Sequence, residues 1–188
     1  MRSGLIILFV AVNPPAVALT LWARVDRTVL AAGLAMTGAL AVVLGLLSDP
    51  ILDLLSVNPA TFRVTAGAVL GLAAATWLSR GPRLLPLEDD LVTGEETRDA
   101  KRWSALIVPV LIPTLVTPQL VAASIAVGVD EGVLPAAVGA IVALGLAGAA
   151  AVLVHRGRPG VWSVGVRLVG LVGAVVALGM VVDGVKSV

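Results

Sequence analysis

Long apolar runs broken by short polar or charged clusters dominate the chain. Six of them approach the length a helix needs to cross roughly 30 Å of hydrocarbon. They predict membrane helices over residues 4–21, 29–47, 60–78, 104–128, 133–154 and 164–182. A shorter run over 49–55 reads as a helix lying along the membrane interface, with Asp49 as N-cap, Pro50 in its first turn and Asn58-Pro59 as its stop. Arg2 and the small residues Ala16-Val17-Ala18 resemble a leader peptide with its cleavage site, but Asn13-Pro14-Pro15 interrupts the apolar stretch. The first run is therefore read as the first membrane helix.

The connection 79–103 collects Arg80, Arg83, Glu88, Asp89, Asp90, Glu95, Glu96, Arg98, Asp99, Lys101 and Arg102, so it is expected to be solvated. It divides one membrane domain, 1–188, into halves 4–78 and 104–184. Basic residues on the two sides of the predicted helices are unequal. Arg24, Arg27, Arg80, Arg83, Arg98, Lys101, Arg102, Arg156, Arg158 and Arg167 fall on one side, and only Arg2, Arg63 and Lys186 on the other. Because basic flanks resist translocation, the expected orientation has both termini outside and the 79–103 connection in the cytoplasm. Trp22, Trp77, Trp103 and Trp162 all sit at helix ends on the basic side, where an amphipathic ring prefers the headgroup level.

Sliding the second half over the first at an offset of 104 places Pro118 on Pro14, Arg167 on Arg63 and Asp130 on Asp26. Three helices per half is an odd number, so the second half enters the membrane from the opposite side. The expectation is an all-α membrane protein made of two inverted-topology three-helix repeats, a plan found in secondary transporters.

Prolines interrupt the first and fourth predicted helices. Pro14 and Pro15 deprive the carbonyls of Val10 and Ala11 of their helical donors, and Pro109, Pro113 and Pro118 do the same in the fourth, beside Thr114, Thr117 and Gln119. Backbone of this kind is tolerated at membrane depth where it is packed in protein or lines a wet cavity, and broken helices often carry a transporter's substrate site. Asn13, Pro14, Pro15, Thr114, Thr117, Pro118 and Gln119 are thus the candidate substrate-binding residues. The bland alternative is a pair of packed kinks. Arg63 and Arg167 read either as interfacial arginines extending to the headgroups or as gates at the two mouths of a pathway. His155 and Asp183 read as interfacial.

Composition narrows the function further. Hydrophobic residues make up 59% of the chain and charged ones 13%, with a mean hydropathy of +1.05, which excludes a water-soluble globule. A formal net charge of +1 and no tyrosine offer little to nucleic acid. Having no cysteine excludes thiol chemistry. No paired carboxylates or Ser-His arrangement at workable spacing suggests an enzyme, and no cofactor is called for. The expected partners are a small-molecule substrate, membrane lipid and a coupling ion; without a nucleotide-binding loop, gradients supply the energy.

Asn13-Pro14 in the first helix, Phe62-Arg63-Val64-Thr65-Ala66-Gly67 opening the third, Pro109-Val110-Leu111-Ile112-Pro113 followed by Thr117-Pro118 in the fourth, and Arg167-Leu168-Val169-Gly170-Leu171 through Asp183-Gly184-Val185 in the last form an ordered set. The chain resembles, over nearly its whole length, the MarC-related family of six-helix bacterial inner-membrane proteins, similar in plan to the lysine-exporter superfamily. That resemblance implies a transporter of small neutral amino acids such as glycine or alanine. The family usually carries glycine two residues beyond the first-helix proline and Gly-Pro-Gly in the fourth helix. Here Ala16 and Thr117-Pro118-Gln119 occupy those places, which reduces the room for close backbone approach. Export of a larger amphiphile and a non-transporting membrane scaffold remain the alternative readings.

Overall fold

The computed structural model describes residues 2–21, 27–80, 115–154 and 159–187. Among these there is no strand. The helices are α1 (Arg2–Val12), α2 (Pro14–Leu21), α3 (Arg27–Leu46), α4 (Ser48–Leu55), α5 (Pro59–Arg80), α6 (Pro118–Glu131), α7 (Val133–Val154) and α8 (Pro159–Lys186).

Five spans among the described residues are long and apolar enough to cross a membrane: Ser3–Thr20, Thr28–Leu46, Pro59–Arg80, Val133–Val154 and Gly160–Lys186. The first comprises α1 and α2 together. Large apolar side chains stand exposed along the spans, among them Leu72, Ile141, Val175 and Leu178. That surface would be a liability in water and is at home in lipid, so the chain has the character of a membrane protein. The expected fourth helix, 104–128, is described only from Leu115 onward, and α6 with its 14 residues is too short to span alone.

Helix ends follow local chemistry. Asn58 starts α5, its side-chain oxygen accepting from the Ala60 N–H at 2.8 Å with Pro59 opening the helix, but it does not stop α4, which ends at Leu55 with Ser56 at φ 52 as its C-cap. The cap expected at Asp49 does not form. The helix begins one residue earlier at Ser48 and its N-cap is Leu47, without a side-chain bond, because α3 runs almost directly on into α4. The Leu47 N–H still donates to Val43, the Leu47 carbonyl already accepts from Ile51, and the Ser48 hydroxyl donates back to Gly45. Between α6 and α7, Gly132 turns the chain at φ 90, a conformation that favours glycine.

The first span lies at the centre. It is 56% buried, against 22% for each of the α3 and α5 spans, and α1 packs on α6, α7 and α8 while α2 packs on α7 and α8. The most extensive helix pair is α5 with α8. α3 lies across α6 and α7. At the α3–α6 crossing a Cβ on Gly128 would stand 2.7 Å from the Gly45 carbonyl oxygen, so the two backbones touch directly, as small residues allow in membrane bundles.

Candidate functional site

The interruption in the first span is built by three consecutive residues. Pro14 and Pro15 have no N–H to offer the carbonyls of Val10 and Ala11, both buried residues. The ring of Pro14 also disfavours a right-handed helical conformation at the residue before it. Asn13 adopts φ 47, neither right-handed helical nor extended but in the left-handed region that asparagine tolerates better than most side chains. Its N–H closes α1 by donating to Phe9 at 3.0 Å. Its carbonyl opens α2 by accepting from Ala16 and Val17 at 2.8 and 3.1 Å.

The Asn13 side chain is fully buried. Its Oδ1 accepts from the Ala16 N–H at 3.3 Å, which is an N-cap on α2, while its Nδ2 has no hydrogen-bond partner. A buried amide donor left unmet costs about 1–3 kcal/mol. It stands beside the N-terminus of a helix, where the aligned peptide dipoles favour negative charge.

The start of α6 repeats this chemistry. Thr117 is extended at φ −102 and caps α6, with Pro118 as the first helical residue. Thr117 Oγ1 accepts from the Leu120 N–H at 3.3 Å, and the Thr117 carbonyl accepts from Leu120 and Val121 at 3.0 and 3.1 Å. Val12, beside the turn at Asn13, and Leu115 and Leu120, on either side of the start of α6, belong to one buried apolar cluster.

Pro14 is buried, and Pro15 is half-buried against Gly165 of α8. Thr117 and Gln119 are half-buried and Pro118 is exposed. Thr114, with Pro109 and Pro113, lies outside the described residues. Among the described residues no hydrogen bond joins Asn13 to Thr117 or Gln119, and no cluster of His, Asp or Glu is arranged to hold a metal. An open groove of about 330 Å³ lies away from Asn13 and Thr117, between α3 and α7. Its lining is apolar, including Leu34, Gly38, Val42, Ile141, Leu144 and Gly145.

The two arginines differ. Arg63, in the first turns of α5, forms a two-pronged ion pair with Asp130 near the end of α6: Nε donates to Oδ2 at 2.8 Å and Nη2 to Oδ1. Arg167 is exposed on α8. Next to Asp130, Glu131 accepts the backbone N–H of Gly4 at 2.7 Å. Sequence reasoning gave these two acids no role, although two carboxylates at a helix C-terminus sit where the helix dipole opposes them, and that misfit is a readable sign of partners elsewhere.

Comparison of the chain with family models, with curated proteins and with solved structures finds no match.

Proposed function

We propose that the chain is a secondary transporter of small neutral amino acids, glycine- or alanine-like, in the bacterial inner membrane, related to the MarC family. The observation that carries this reading is the buried, unpartnered Asn13 Nδ2 at the N-terminus of α2. A zwitterion's carboxylate suits such a donor and such a helix end, and the carbonyls freed at Val10 and Ala11 suit its ammonium.

In the same proposal residues 104–131 form a sixth, interrupted span, and the two halves are inverted repeats. The matched caps at Asn13 and Thr117 support this, as does the pairing of elements: α5 with α8 and α3 with α7 would each be symmetry-related partners. Asn13, Thr117 and Gln119 would line the substrate path, with alanines and valines around it leaving room for a small side chain only.

The test is uptake of labelled glycine and alanine into proteoliposomes holding the full chain or Asn13→Ala. Transport by the parent, with apparent binding weakened by roughly 1–3 kcal/mol in the variant, is expected from loss of a buried hydrogen bond. A parent that moves neither amino acid overturns the substrate, and a variant equal to the parent overturns the site. The apolar groove between α3 and α7, open to the side, favours as second reading an exporter of a larger amphiphile.

A further inference from the structure

Three side-chain hydrogen bonds that bridge helices converge on two neighbours, Asp130 and Glu131. Those of Thr20, Thr37, Ser48, Thr65, Ser79 and Ser187 close instead on backbone carbonyls three or four residues away. Helices in lipid gain no hydrophobic preference for one another over the acyl chains, so directional polar bonds weigh heavily in fixing how their ends meet. Here those bonds sit at a single end of the bundle, where the starts of α1 and α5 meet the finish of α6.

Both arms join the first half of the chain to the second. The Arg63 guanidinium grips Asp130 across 67 positions of sequence, and the Gly4 N–H is held by Glu131 across 127. Gly4 is needed for the second arm. A Cβ there would stand 2.6 Å from Val127 Cγ1 and 3.2 Å from Glu131 Cδ, pushing α1 off α6. Separation of the ends would leave two adjacent carboxylates at the negative end of the α6 dipole, whereas the joined state gives one of them a cation and the other the positive end of α1. The joined state is therefore favoured. It is also reversible, because the Arg63 and Asp130 side chains keep 26% and 24% of their surface in contact with the surroundings, and such partly solvated pairs are individually weak.

We propose that Asp130 and Glu131 form a two-armed latch that holds the Gly4–Arg63 end of the bundle shut and opens as a unit to admit water toward the interior of α6. Ser124 lies six residues below Asp130, roughly 9 Å along the helix, and is 1% exposed with an unpartnered hydroxyl. It is the reporter position. The inference concerns which end opens and is independent of what is carried.

Because the chain has no cysteine, Ser124→Cys in the full-length protein supplies a single thiol. Its labelling by a small membrane-impermeant methanethiosulfonate is measured in sealed vesicles of both orientations. The expected result is slow labelling in the parent background, faster by about fivefold or more with Asp130→Asn or Gly4→Val, from the same side of the vesicle in both cases. The exchange Arg63→Asp with Asp130→Arg should bring the rate back toward the parent, which a merely loosened fold would not do. Unchanged labelling in the single variants overturns the latch. So does an exchange variant that labels as fast as Asp130→Asn, since packing rather than the ion pair would then be responsible.

Discussion

Asn13 and Thr117 stand 104 positions apart and make the same bond: each accepts, through its side-chain oxygen and at 3.3 Å, the N–H of the residue three further on. Each is followed by a proline that opens a helix, and each carbonyl also accepts from the residues three and four ahead. The likeness covers side-chain capping, backbone capping and proline position together. They differ in setting, Asn13 being fully buried in a left-handed turn and Thr117 half-buried in an extended one.

Replacing Asn13 separates its conformational role from its proposed binding role. Asn13→Gly keeps a residue that accepts positive φ and loses the side-chain cap together with the unmet Nδ2 donor, two changes of opposite sign, so its melting temperature in detergent should stay close to the parent's. Asn13→Ala forfeits the cap and also strains the backbone, and should be less stable by about 1–2 kcal/mol. Both should lose amino-acid binding equally. If Asn13→Gly binds as well as the parent, the amide has no part in the site.

At Thr117 the cap is expected to dominate. Thr117→Val removes the hydroxyl acceptor from the Leu120 N–H at nearly constant volume and should cost about 1 kcal/mol, while Thr117→Ser should retain most of it. Thermal unfolding of the three proteins side by side checks the order. Equal melting of Thr117→Val and Thr117→Ser would show the bond to be energetically idle.

Gly128→Ala places a methyl group 2.7 Å from both the Gly45 carbonyl oxygen and the Ser48 hydroxyl. Backbone cannot yield as a flexible side chain does, so α3 and α6 must part, at about 1–3 kcal/mol. Gly145→Ala is the control, as nothing stands within 4 Å of a Cβ there. The control should melt with the parent and Gly128→Ala clearly below it.

From the ten-to-three asymmetry of basic residues we predict that both termini lie outside. Single cysteines at Ser3 and Thr93, treated in intact cells with an impermeant thiol reagent, should label at Ser3 and stay protected at Thr93. The reverse pattern inverts the orientation.

Much of the bundle was legible because a membrane helix is announced by composition over a long window. The span expected at 133–154 is the observed α7, and those at 29–47 and 60–78 shift by no more than two residues at either end. The interruption at Asn13 was legible for a different reason, since a proline lacks its N–H in any context. The cap expected at Asp49 failed because a local rule met a longer-range fact: α3 continues into α4 and already supplies the bonds a cap would provide. Arg63 was recognised but its partner was not. The pairing depends on how α5 lies against α6, which no spacing along the chain encodes, and the same holds for Gly4 and Glu131.

The turn at Asn13 has a mechanical consequence. The N–H of that residue belongs to α1 and its carbonyl to α2, so each rod completes its own backbone bonding up to one shared α-carbon. Prolines have deleted two of the ties that would cross from rod to rod, and the Ala16 N–H, which would make the third, bonds to Asn13 instead of Val12. Swivelling one rod against the other about this joint therefore breaks no backbone hydrogen bond, whereas bending an intact helix at membrane depth would sacrifice several where no water could replace them.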